Sequence, residues 1–152
     1  MKYDLYTVSK NDIEKFKDEL PDFVIDNCDK KGFFMIGATD SEATLIGIAQ
    51  FYIGLMPDGE CMSDIIYVYV DEDYRHLGAA SRMISKIHNI LKKSSVDKSI
   101  AVMDKKLEEK KLFVENGYLF MKVEKDAIEY LEKAYGEFKP AKMEQGLYRT
   151  DI

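Results

Sequence analysis

The chain has 152 residues, 46% hydrophobic and 33% charged, which suits a single domain spanning residues 1–152 around one core. A formal net charge of −6 disfavours a general nucleic-acid binder, which would carry a basic patch, and mildly favours a cationic substrate. The two cysteines, Cys28 and Cys61, stand apart from any Cys/His cluster, so no metal site is expected; both suit buried or partly buried thiols. Met1–Leu5 carries no apolar signal region, and no stretch reaches the ~18 apolar residues of a membrane helix. The expected location is the cytoplasm.

Residues 3–8 alternate loosely and predict a first strand. Ser9 or Asn11 can cap a helix through about Leu20, with Ile13, Phe16 and Leu20 on one face. Pro21 can open a second short helix, with Phe23, Val24 and Cys28 as its apolar side and Gly32 as its end. Strands are predicted over 33–38 and 44–53, joined at Asp40–Glu42, and a further turn falls at 56–59. Cys61–Val70 is the next strand. Its last six residues, Ile65 to Val70, are β-branched or aromatic, a composition that predicts burial on both faces.

The pattern then changes. Ala80, Met83, Ile84, Ile87 and Leu91 mark one face of a helix running to about Lys93. A short strand over 99–103, a helix over 107–116 capped by Gly117, and a strand over 118–123 follow. A helix over 126–135 and a strand over 143–150 complete the chain. The order predicts an α/β (α+β) fold, an antiparallel meander flowing into parallel β-α-β units.

The segment from Val68 to Ala80 carries the chemistry. A strand ends at Val70, an acidic turn covers Asp71–Tyr74, and Arg75-x-x-Gly78-x-Ala80 leads directly into a helix. The first N–H groups of a helix have no intrahelical partner, and the helix dipole there is positive, so a diphosphate can be held. Gly78 removes a side chain where backbone and ligand must meet closely, and Ala80 keeps the first turn small. The same residues also suit a plain strand–turn–helix junction, with Gly78 as turn residue and Arg75 in solvent.

This segment resembles the GNAT superfamily of N-acetyltransferases, whose pattern is a strand ending in a Val-like residue, a four-residue turn, then Arg/Gln-x-x-Gly-x-Gly/Ala. Phe113, Gly117 and Tyr118 are similar to that family's junction between its last helix and the next strand, and the element order over 3–123 agrees. The resemblance implies a mixed central sheet of about six or seven strands flanked by about four helices. It implies acetyl-CoA as acyl donor, lying where the fourth strand splays from the fifth. Val68, Tyr69 and Val70 would meet the pantetheine arm, and Arg75, His76, Leu77, Gly78, Ala79, Ala80 and Ser81 the pyrophosphate. Transfer would go directly to a primary amine of a small molecule or protein, with no metal. A homodimer is left open.

A lysine-like amine has a pKa near 10.4, so a base is useful. In some family members an acidic residue eleven positions before the motif's Arg/Gln serves, which here is Asp64; the alternative is a solvent-facing carboxylate. The usual general-acid Tyr is replaced by Phe113, which has no proton to give; Tyr118, Tyr69 or water can substitute. His76 is read as a backbone contributor and His88 as a surface or boundary residue, while Lys105 or Lys106 can meet a 3′-phosphate. Two other functions remain at this stage: a catalytically weak acetyl-CoA-binding module, and an α/β domain with no CoA site.

Overall fold

The computed structural model of the chain describes residues 4–8, 10–55, 61–96, 98–104, 109–122 and 145–151. Ser9, the turn at 56–59, Lys105, Lys106 and the helix expected over 126–135 lie outside them. The chain gathers into two compact units: Met1–Tyr52 with Ile66–Ile87, and Ile53–Ile65 with His88–Ile152.

The first unit contains β1 (Asp4–Thr7), β2 (Phe33–Thr39), β3 (Leu45–Leu55) as far as Tyr52, and the second half of β4 (Cys61–Val70), in the order β1-β2-β3-β4. β1 pairs antiparallel with β2, Asp4 opposite Thr39, and β2 with β3, Phe33 opposite Tyr52. The β2–β3 turn is closed by Asp40, whose Oδ1 accepts the N–H groups of Glu42 and Thr44 at 2.9 Å each.

The helix expected through Leu20 is broken. α1 (Lys10–Lys15) ends before Phe16, which leaves the helical region at φ −110° and ψ 12°; a 3-10 turn covers Lys17–Glu19 and α2 covers Asp22–Asn27. The break keeps local hydrogen bonds, Phe16 N–H to Ile13 at 3.1 Å and Glu19 N–H to Phe16 at 3.0 Å. It still sends Ile13, Phe16, Leu20 and Val24 into one core with Met35, Leu45 and Ile48. Gln50 of β3, fully buried, donates to the Val24 carbonyl at 2.9 Å and accepts from Asn27 Nδ2 at 3.0 Å. A buried amide so satisfied ties α2 to the sheet.

α3 (Ala79–Lys93) turns Met83, Ile84 and Ile87 fully inward. Ala79, not the expected Ala80, starts that buried face; Ala80 is half-exposed. β3 makes room for the helix at Gly47, where a Cβ would lie 3.0 Å from Met83 Cε and 3.1 Å from the Tyr69 carbonyl.

The second unit contains the first half of β4, β5 (Lys98–Asp104), α4 (Glu109–Glu115), β6 (Leu119–Lys122) and β7 (Gln145–Asp151). The strand order is β4-β5-β7-β6. β4 runs parallel to β5 with Ser63 opposite Ser99 and Asp64 opposite Ile100, while β7 is antiparallel to both neighbours. The mixed α/β class is as the sequence predicts. The described strands number seven, four in each unit with β4 common to both.

Burial along β4 departs from expectation. Met62 to Ile65 are buried, whereas Ile66 to Val70 are half-exposed. β-branched and aromatic content favours a strand without saying what covers it.

Candidate functional site

In the first unit β4 ends at Val70, and the Asp71 N–H donates to the Ile46 carbonyl at 2.8 Å. Asp71 then caps a 3-10 turn over Glu72–Tyr74, its Oδ1 accepting the Asp73 N–H at 3.0 Å. Arg75 folds back, its Nε donating to the Val70 carbonyl at 2.9 Å. That side chain therefore staples the turn to the strand end and occupies a carbonyl expected to meet the pantetheine arm.

Beyond Arg75 the backbone reverses twice, with φ +64° at His76 and +86° at Gly78. Left-handed geometry is rare for a non-glycine residue and marks a shaped turn. Arg75, His76, Leu77 and Gly78 are all exposed. A Cβ built on Gly78 meets no atom within 4 Å, so the space over this turn is open. The first bond of α3 runs from the Arg82 N–H to the Gly78 carbonyl at 3.0 Å. The N–H groups of Gly78, Ala79 and Ala80 precede that bond and lie at the positive end of the helix dipole, where an anion is favoured. His76 enters this turn with a left-handed backbone, which its residue type does not announce. Ser81 follows, half-exposed, in the first turn.

The second unit assembles a polar cluster that sequence reasoning missed as a group. Asp64 is 8% exposed, and Ser63, Ser99 and Tyr118 are fully buried. The Tyr118 hydroxyl lies 2.6 Å from Ser99 Oγ and 3.0 Å from His88 Nε2. His88, half-buried, is thereby tied to the core, and burial lowers its imidazole pKa from the ordinary value. Burial above all raises the Tyr118 hydroxyl; the Ser99 hydrogen bond opposes the rise and the Asp64 charge adds to it. Among the described residues Ser63 Oγ has no hydrogen-bond partner. Phe113, at the usual Tyr position, is buried and sets its ring at 87° to Tyr118, centroids 5.1 Å apart. The signal in the sequence was polar residues, Ser63-Asp64 and Ser99, interrupting apolar strands. Among the described residues no cluster of His, Cys, Asp and Glu could hold a metal ion.

The profile of the Acetyltransferase (GNAT) family matches residues 3–118. The chain belongs to this family. No curated protein matches it. Among solved structures, it is similar to a GNAT-family acetyltransferase from Staphylococcus aureus, with a TM-score of 0.73, 14% identity and 99% of each chain covered. It is also similar to NAA60 of Arabidopsis thaliana in complex with acetyl-CoA, with a TM-score of 0.74, 12% identity and 99% of each chain covered. PaiA N-acetyltransferase from Thermoplasma acidophilum, in complex with coenzyme A, aligns at a TM-score of 0.67 and 11% identity over 100% of both chains. At these identities the likeness is one of fold.

Proposed function

We propose that residues 1–152 form one acetyltransferase domain that moves an acetyl group from acetyl-CoA directly to a primary amine of a small molecule or protein. The observation that carries this reading is the open, doubly reversed turn at His76 and Gly78 leading into α3. Acetyl-CoA supplies the activated acyl group. The N–H groups from His76 to Ser81 hold its pyrophosphate, and the half-exposed stretch Val68–Val70 takes the pantetheine arm through backbone groups other than the Val70 carbonyl, which Arg75 holds. Asp64, or a water it holds, takes the proton that the ammonium must lose; the neutral nitrogen then attacks the thioester carbonyl, and as the C–S bond breaks it gives up its second proton to water, leaving a neutral amide and the CoA thiolate. The departing thiolate needs a proton, and Phe113 has none to give. The fully buried Tyr118 hydroxyl is raised well beyond its ordinary range, so water or Tyr69 suits that task better.

A second reading, a catalytically weak acetyl-CoA-binding module, is favoured by Phe113 and the burial of Tyr118. Release of free CoA thiol on a panel of amines separates the two. Acetyl-CoA that stabilises the fold without any amine-dependent thiol release supports the module; amine-dependent release supports the enzyme. Among the described residues no helix is long and apolar enough to cross a membrane.

A further inference from the structure

His76 holds a left-handed backbone, φ +64°, without being glycine. A residue stays in that region only where its surroundings over-determine it. The His76 side chain is exposed, so the constraint comes along the chain, from the residues that lead into the turn. Those residues are tied at three places. The Asp71 N–H is held by the Ile46 carbonyl at 2.8 Å, and Arg75 Nε holds the Val70 carbonyl at 2.9 Å. The third tie reaches furthest: the Tyr74 hydroxyl donates to Asp40 Oδ2 at 3.4 Å, across 34 residues, in the turn between β2 and β3.

Asp40 is itself fixed. Its Oδ1 accepts the N–H groups of Glu42 and Thr44, its N–H donates to the Thr44 carbonyl at 3.0 Å, and its carbonyl accepts the Ala43 N–H at 3.1 Å. These bonds hold Ala43 left-handed, φ +61°. One carboxylate therefore supports two non-glycine residues with positive φ, Ala43 directly and His76 through Tyr74. Burial first, and then the Asp40 charge and hydrogen bond, raise the Tyr74 hydroxyl above its ordinary range, so it keeps the proton it donates. A carboxylate repels a diphosphate, so Asp40 serves the donor turn by what it holds and not by its charge.

Resting on the acetyltransferase reading, we propose that Tyr74 and Asp40 are positioning residues for the acyl donor: their hydrogen bond fixes the entry to the His76–Gly78 turn, so that its N–H groups are set for the diphosphate before the donor arrives. They act through the backbone and not by contact with the donor. A turn without this tie must be ordered on binding, and that cost is read as lost affinity.

Tyr74→Phe removes the hydroxyl and keeps the ring. By calorimetry it should weaken acetyl-CoA binding roughly 3–10-fold, and KM for acetyl-CoA should rise with kcat held. S-acetyl-pantetheine lacks the diphosphate, so the wild type and the variant should bind and use it equally. Asp40→Ala should weaken acetyl-CoA binding as Tyr74→Phe does and add nothing in the double variant, although loss of a negative charge alone would tighten an anion. His76→Gly takes the left-handed backbone without strain, so in that background Tyr74→Phe should cost less. Should Asp40→Ala fail to fold, the cycle of Tyr74→Phe with His76→Gly decides alone. Unchanged acetyl-CoA affinity in Tyr74→Phe, or an equal loss for S-acetyl-pantetheine, overturns the proposal and leaves the acetyltransferase reading intact. If acetyl-CoA binds but no amine releases thiol, the enzyme reading fails and the calorimetric comparison still decides the positioning role. If the wild type does not bind acetyl-CoA, both are overturned.

Discussion

Tyr118→Phe removes one oxygen from the polar cluster and little else. The ring keeps its edge-on contact with Phe113, so packing is held nearly constant. What changes is the hydroxyl that lies 2.6 Å from Ser99 Oγ and 3.0 Å from His88 Nε2. Ser99 is fully buried and would be left without this partner, the expensive outcome for a polar group. His88 is half-exposed and can turn to water, so it adds little. The expected loss is about 2 kcal/mol, within the range for stranding a buried polar group. For a chain of this length that is a fall in Tm of roughly 4–8 °C. Urea unfolding should show a lower midpoint with an unchanged slope.

The pH dependence gives a second readout of the same group. The folded-state pKa of Tyr118 is raised, so its contribution is complete below the unfolded value near 10 and is lost as pH climbs above it. The phenylalanine variant should lack that part of the alkaline loss. His88 has the opposite sense: its folded pKa is lowered, so stability falls as pH drops below about 6.5. A Tyr118→Phe protein within about 0.5 kcal/mol of wild type, with the same alkaline limb, would refute the assignment of a buried, paired hydroxyl.

Gly78→Glu should abolish acetyl-CoA binding in a folded protein, because the new carboxylate would fill the open space over the turn and repel phosphate; unchanged affinity by calorimetry would place the donor elsewhere. The backbone there, at φ +86°, also makes any side chain cost about 1–2 kcal/mol in Tm measurements. Asp64→Asn should lower kcat roughly a hundredfold with little change in acetyl-CoA affinity, and near-normal kcat at neutral pH would assign Asp64 to structure. Gly47→Ala should destabilise the fold by about 1–3 kcal/mol, since its Cβ would press on the Tyr69 carbonyl as well as on mobile Met83 atoms; urea midpoints check it.

Much of the architecture was legible because it is local. The period of Met83, Ile84, Ile87 and Leu91 marked α3, and Arg75-x-x-Gly78-x-Ala80 between a strand and that helix marked the turn. What escaped depends on contacts distant in sequence. β7 enters between β5 and β6, and no local pattern in 145–151 announces that pairing. α1 ends at Phe16, whose side chain joins a core shared with the distant residues Met35, Leu45 and Ile48. The left-handed turn at His76 is imposed by the chain around it, and the residue type does not signal it. The Ser99–Tyr118–His88 cluster joins residues up to 30 positions apart. Half-exposure of Ile66–Val70 looked like burial because strand propensity and cover are separate properties.

The central claim is that the turn entering α3 binds the diphosphate of acetyl-CoA. Thermal unfolding of the wild type and of Gly78→Glu, each with and without acetyl-CoA, tests it most directly. At a concentration ~100 times its dissociation constant the ligand should stabilise the wild type by about 2.7 kcal/mol and leave the variant unmoved. No shift of the wild type at millimolar acetyl-CoA, or an equal shift of both proteins, would contradict it.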